Sequence, residues 1–302
     1  MPPVPPVPSV QLRRITNWRL ACASLCFLLL AMFALFESHA YAQVGADRIA
    51  TLDADQQVAW LTGAAASGEL AALDDEQLVT LFQSLDPHTL PRYLSAGTHR
   101  FASCEFTMWR RERVKGKWPK RADHMLVRVT REPLRIYAKW LPDGAHAGQE
   151  IIYDDSTRPR ELYGHLGGLF GVVPMWTKID GAFARAQSNH SIRELSIDAI
   201  TQRFIDESRR FIEAGITRPA SVDVRTIDGV RVVALTYDTP SGQPDFYAKR
   251  EVLGLDLTRP LLRSIESFDN DGEQFESIVL ERIDPKPFDD LTFDPKNPDY
   301  RF

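Results

Sequence analysis

Residues Phe101 to Trp140 read FASCEFTMWRRERVKGKWPKRADHMLVRVTREPLRIYAKW, and the reading of this stretch decides the fold. Apolar side chains recur on every second position, the period of a strand with one buried face. In the first segment Cys104, Phe106 and Met108 share one face and Glu105, Thr107 and Trp109 the other, before the charged run Arg110 to Arg113. Lys115-Gly116-Lys117 has the composition of a turn. A second segment sets Met125, Val127 and Val129 against Leu126, Arg128 and Thr130, and Glu132-Pro133 ends it. A third alternates Leu134, Ile136, Ala138 and Trp140 with Arg135, Tyr137 and Lys139. Three such segments joined by short turns predict an antiparallel meander with one apolar face.

Downstream, Pro142-Asp143-Gly144 leads to a fourth strand over Gln149 to Tyr153. Glu161 to Val173, ELYGHLGGLFGVV, carries four glycines, which lets backbone approach its neighbours closely. We read it as a crossing and not as a strand. Ser191 and Glu194 have the spacing of a capping box, and Ile197, Ile200, Phe204, Phe211 and Ile212 repeat at helical spacing up to Gly215. A long helix is predicted from Ser191 or Ser196 to Ala214. Strands then return: Val222 to Ile227 and Val230 to Tyr237 flank Asp228-Gly229, a strong hairpin signal. Phe246 to Leu253, Leu261 to Phe268 and Phe275 to Ile283 follow, the last two joined around Asn270-Asp271-Gly272.

Upstream, the pattern is helical over residues 43–100. Asp53 is placed to cap a helix bearing Val58 and Leu61, and Asp74 or Asp75 one bearing Leu78, Leu81, Phe82 and Leu85; Leu90 and Tyr93 fit a further turn. Helices first, four strands, a crossing, one long helix and five strands predict an α+β fold: a large curved antiparallel sheet, an incomplete β-barrel, covered by helices.

The N-terminus has its own logic. Arg13, Arg14 and Arg19 precede the apolar run Leu20 to Phe36, and Ala40-Tyr41-Ala42 follows. A charged region, an apolar core and an Ala-x-Ala site in that order predict a signal peptide over residues 1–42, cleaved before Gln43. The alternative is an uncleaved anchor, since the run is near the lower limit for spanning a bilayer. Both put 43–302 outside the cytoplasm. Cleavage would remove Cys22 and Cys26, leaving Cys104 without an intrachain partner, and would take the formal charge from −5 to −7. An acidic chain has no bulk attraction for nucleic acid, so that partner class is excluded.

The order of elements resembles the LolA/LolB-like superfamily of periplasmic lipoprotein carriers, and local stretches resemble a bacterial branch of it labelled a domain of unknown function. The stretches are FASCEFTMWRRERVKGKW, LRIYAKWL, GQEIIYDD, GHLGG, LLRSIESFDNDGEQFESIVL and the tail FDPKNPDYRF, spread over most of 101–302. The branch has an arginine-histidine pair ahead of the long helix. Here Ser188-Asn189-His190-Ser191-Ile192 keeps only the histidine. The resemblance implies a LolA-like half-barrel over 101–302, a periplasmic location, and a lipid or lipidated protein as partner.

On that reading Phe106, Met108, Val127, Val129, Ile136, Trp140, Val232, Leu235 and Phe246 are candidates to line an apolar cavity. Their alternative role is ordinary core. Arg110, Arg111, Arg113, Lys115 and Lys117, with Lys120 and Arg121, form a basic cluster suited to lipid head groups or an acidic partner; the alternative is a solvated hairpin. His165 in the glycine-rich stretch and His190 are the candidate polar site. Catalysis at His165 would call for a nucleophile elbow G-x-S-x-G, and zinc for close ligand pairs such as H-E-x-x-H; the sequence has neither. No cofactor is expected. The expectation is a non-enzymatic exported protein that binds an amphiphile and touches membranes transiently. The alternatives are a ligand-free cell-envelope interaction protein and, more remotely, a hydrolase.

Overall fold

The computed structural model describes residues 46–98, 102–167, 173–182, 184–240 and 246–302. The predicted signal segment, Phe101 and part of the glycine-rich stretch lie outside these residues. Ile49–Phe302 forms one compact unit. Among the described residues no helix is long and apolar enough to cross a membrane.

The helices begin where their capping chemistry puts them. Asp53 opens α1 (Ala54–Ser67) and Asp74 opens α2 (Asp75–Ser84), each through a reciprocal box with the glutamine three residues on. The predicted turn around Leu90 and Tyr93 is a full helix, α3 (Thr89–Thr98). Buried Gln57 joins this layer, donating to the Ile49 and Leu52 carbonyls and accepting from Asp86 N–H and the Thr89 hydroxyl.

Among the described residues, eleven strands form one open antiparallel sheet. They are β1 (Ser103–Glu112), β2 (Asp123–Thr130), β3 (Arg135–Trp140), β4 (Glu150–Asp154), β5 (Glu161–His165), β6 (Met175–Lys178), β7 (Ser221–Ile227), β8 (Val230–Asp238), β9 (Arg250–Asp256), β10 (Leu262–Phe268) and β11 (Gln274–Pro285). Their order is β6-β5-β4-β3-β2-β1-β11-β10-β9-β8-β7. Two meanders therefore meet where β1 pairs with β11, and β6 and β7 are free edges. This is the predicted large antiparallel sheet, and it does not close.

Two strands correct the sequence reading. β5 occupies the start of what reads as a glycine-rich crossing, and β6 lies just beyond that stretch, in chain that reads as irregular or extended. Gly164 is required in β5 because a Cβ would lie 2.6 Å from Ile151 Cγ2 and 2.7 Å from the Glu150 carbonyl oxygen. The third C-terminal strand starts at Arg250 and not at Phe246. The β7–β8 hairpin turns as predicted, with Asp228 and Gly229 both at positive φ.

The long helix α4 (Ile197–Glu213) crosses between the two edge strands. Its N-cap is Ser196, whose hydroxyl accepts from Ala199 N–H; the Ser191–Glu194 box closes a separate single turn, Ile192–Glu194. Gly215 ends the helix at φ +80°. Beneath the Ile192–Glu194 turn lies the core of the inner face, where Phe106, Met125, Val127, Ile136 and Ala138 pack with Ile192, Leu195, Ile197 and Leu261. The C-terminal tail covers the outer face. There Phe293 packs on Tyr137 and Ile152, and Tyr300 stacks on Tyr137 with ring centroids 4.0 Å apart.

Candidate functional site

The inward face of β1 continues past Met108. Because side chains alternate along a strand, Arg110 and Glu112 follow Cys104, Phe106 and Met108 onto that face. Pairing then extends a polar row across five strands: Glu112 opposite Glu276, Glu276 opposite Ser267, Ser267 opposite Glu251, and Glu251 opposite Tyr237. Glu112, Glu251 and Glu276 are all buried. Three carboxylates under a helix are costly unless paired.

The pairing comes from the chain between β6 and α4. His190 Nδ1 lies 2.8 Å from Glu194 Oε2, and its Nε2 lies 2.6 Å from Glu276 Oε1 and 3.6 Å from Glu112 Oε2. The Tyr247 hydroxyl donates to Glu276 Oε2 at 3.0 Å and sits 3.0 Å from His190 Nε2. Arg203 of α4 stands beside this histidine, donating to Glu194 at 2.9 Å and lying over the Tyr247 ring.

Electrostatics follow from this packing. Burial works against the His190 charge, but the hydrogen bonds to Glu194 and Glu276 outweigh it and raise its pKa to about 9. The His190 hydrogen bond holds Glu194 down at about 2. Burial also opposes the Glu276 charge, and the bond from His190 more than offsets it, so Glu276 stays below the usual carboxylate range. Glu251 has no such partner, and desolvation raises it to about 7. Away from this row, burial pushes the Cys104 thiol up to about 12, in keeping with a small hydrophobe.

Two small cavities flank His190. One, of about 30 Å³, is lined by Met108, Arg110, Arg203, Glu251, Leu253 and Ile278, among others. The other, of about 70 Å³, has an apolar wall of Trp140, Ile151, Leu162, Ile192 and Leu195 and a polar wall including Arg110, Gln149, Gln187 and Ser188. Three buried polar atoms of its lining residues have no hydrogen-bond partner: Arg110 Nε, Trp140 Nε1 and Gln149 Oε1. A third cavity, of about 340 Å³, lies where α1 and Gly97 of α3 meet Thr258 to Leu261.

The cavity residues expected from sequence therefore divide. Met108 and Trp140 line cavities, whereas Phe106, Val127, Val129 and Ile136 are packed into the inner core. Leu235 lies opposite Leu253, which lines the smaller cavity. Val232 is three residues away and so on the opposite face, against Gly254. Phe246 precedes β9 and packs its ring on Phe211 of α4.

The basic hairpin is likewise not one surface. Arg110 turns inward, with Asp123 3.8 Å away, and Arg113 is ion-paired with Asp269 and Glu273. Arg111 lies over the Trp118 ring and is exposed, as are Lys115, Lys117, Lys120 and Arg121 at the tip. His165 does not join His190. It pairs with Glu150 on the outer face, its Nδ1 against the Leu166 carbonyl and its ring edge-on to Phe302 of the tail.

Sequence reading missed Glu112, Glu251, Glu276, Arg203 and Tyr247 as a group. The signal was available for the strand residues. Glu112, Glu251 and Glu276 each sit at a position in phase with the apolar face of their own strand.

A family profile described as "Protein of unknown function (DUF1571)" matches residues 101–302. No curated protein matches the chain. Among solved structures, the chain is similar to the Mycobacterium tuberculosis lipoprotein LppX, at 13% identity over 67% of this chain and 97% of that one, with a TM-score of 0.39. It is also similar to a LolA superfamily protein from Nitrosomonas europaea, at 10% identity over 70% and 98% of the two chains and a TM-score of 0.26. A DUF1329 family protein from Desulfovibrio piger gives 11% identity, 69% and 96% coverage and a TM-score of 0.33.

Proposed function

Starting from a chain that belongs to the DUF1571 family, whose members are described as proteins of unknown function, we propose that it is an exported, non-enzymatic binder of an amphiphile with an anionic head. The observation that carries this reading is the 70 Å³ cavity, where an apolar wall meets the unpartnered Arg110 Nε, Trp140 Nε1 and Gln149 Oε1. Two donors and an acceptor suit a carboxylate or phosphate head carrying a hydroxyl. The apolar wall of Trp140, Ile151, Leu162 and Leu195 suits the first methylenes of the tail, each worth about 0.8 kcal/mol on burial.

The cavity is too small for a whole acyl chain, since one water occupies about 30 Å³ of liquid. Loading on this reading lifts Ser188 to Leu195 and the start of α4 away from the sheet. The partner is then a lipid or a lipidated protein, delivered in the periplasm without bond chemistry. The close packing of Phe106, Val127 and Ile136 favours a second reading, a filled half-barrel that acts through a protein partner in the envelope.

A fluorescent fatty acid separates the two readings. The wild-type protein should bind it saturably, and Leu195→Asp, which places a charge in both small cavities, should lose binding while keeping its circular dichroism. Equal binding by a folded Leu195→Asp, or none by wild type, contradicts the amphiphile reading.

A further inference from the structure

We propose that Glu112, His190 and Glu276 form a binding site for a divalent transition-metal ion, with the Tyr247 hydroxyl as a neighbouring oxygen. One ligand atom from each of the three residues lies within 4.8 Å of the other two. The fold sets this up from three directions: β1 supplies Glu112, β11 supplies Glu276 directly across the ladder, and the chain before α4 lowers His190 between them.

The independent sign of a ligand is Glu112. It is 5% exposed, its Oε1 is held by the Asn189 N–H at 2.8 Å, and its Oε2 has no hydrogen-bond partner while facing His190 Nε2. This buried carboxylate oxygen meets the imidazole only at ion-pair distance and accepts no hydrogen bond, which leaves it a free lone pair directed at the position an ion would take.

His190 is oriented as a metal ligand is. Glu194 engages Nδ1 at 2.8 Å and turns Nε2 towards the two carboxylates, the carboxylate–histidine–metal arrangement that fixes the ring and raises its basicity. The distances also fit. Bonds of about 2.0 to 2.2 Å place the donors around a zinc-sized ion roughly 3 to 3.5 Å apart. Here His190 Nε2 stands 2.6 Å from Glu276, 3.6 Å from Glu112 and 3.0 Å from Tyr247, and all three ligand atoms lie within 4.8 Å of one another, so an ion would draw the two carboxylates in around the imidazole.

One imidazole, two carboxylates and a phenol suit Zn²⁺, Mn²⁺ or Fe²⁺ in preference to soft cuprous copper. Binding would displace the proton on His190 Nε2 to solvent, and the two carboxylates would balance the charge of the ion. Arg203 pairs mainly with Glu194, at 2.9 Å, and its Nη1 stands 3.9 Å from Glu276 Oε2, so an ion would share Glu276 with this guanidinium. Both Arg203 and Glu194 are partly exposed and mark the route in.

The test is equilibrium dialysis of chelator-stripped protein against Zn²⁺, with metal analysis and histidine NMR. The wild type should retain one equivalent and shift the imidazole resonances of one histidine. Glu112→Gln and His190→Gln should lose saturable retention, and Glu194→Gln should bind roughly 10- to 100-fold more weakly. Retention unchanged in a folded Glu112→Gln overturns the site. So does wild-type protein that retains no zinc, or retains it with no histidine shift, a readout that stands even if the variants fail to fold.

Discussion

His190 Nε2 lies 2.6 Å from Glu276 Oε1, and the carboxylate it meets is fully buried in the middle of the sheet. This contact joins the chain ahead of α4 to the strand at the junction of the two meanders. It makes the charged row affordable and gives the inner face its polar end.

Removing one side of that pair should therefore be severe. His190→Ala leaves Glu276 buried with fewer donors, and breaking a buried pair in this way costs about 3–5 kcal/mol. Urea unfolding at pH 7 should show the midpoint falling with little change in slope. The double variant His190→Ala/Glu276→Gln should recover part of the loss, because the orphaned charge is gone. Strictly additive losses would mean that the two residues do not act on each other.

The pH dependence has a definite sign. In metal-free protein the His190 pKa of about 9 lies above its ordinary 6.5, so its contribution is complete below pH 6.5 and is lost as pH rises through 9. Glu251, raised from 4.5 to about 7, adds a decline in stability between those two values. Glu194, lowered from 4.5 to about 2, contributes fully above pH 4.5 and loses that contribution as pH falls towards 2. The row thus favours a stability maximum near pH 5. Thermal melts from pH 3 to 10 should show Glu251→Gln flattening the arm between 4.5 and 7, and His190→Gln the arm above 6.5. Arms of unchanged slope in both variants would contradict the assignment.

Gly97 sets how closely α3 docks on the turn before β10. A Cβ there would lie 2.1 Å from the Pro260 carbonyl oxygen, and backbone cannot yield as a side-chain tip does. Gly97→Ala should cost about 1–3 kcal/mol, despite the better helix propensity of alanine. The effect should appear in denaturant midpoints and as faster hydrogen exchange along α3. A neutral or stabilising outcome would show that the helix is free to slide.

Much of this fold is legible in the sequence because the forces are local. Period-two alternation in Met125 to Trp140 places the inner face, Asp53 and Asp74 start their helices, and Asp228-Gly229 turns its hairpin. β5 and β6 escape notice because Gly164 obeys a contact with Ile151, a neighbour that only the folded sheet supplies. The candidate site is less legible for the same reason. Glu112 and Glu276 are 164 positions apart and meet only through the β1–β11 register, and Arg203 reaches Glu194 from the second turn of α4. Charged runs read as solvated when their neighbours are unknown, so Arg110 and Glu112 looked like hairpin surface although they sit in phase with Met108.

The most direct test of the central claim, that the half-barrel holds an amphiphile, is native mass spectrometry of the protein purified from a bacterial periplasm without detergent, followed by lipid extraction. The expected result is a stoichiometric co-purifying anionic amphiphile, reduced in Arg110→Gln. A protein whose mass is that of the bare chain, before and after challenge with lipid, would contradict it.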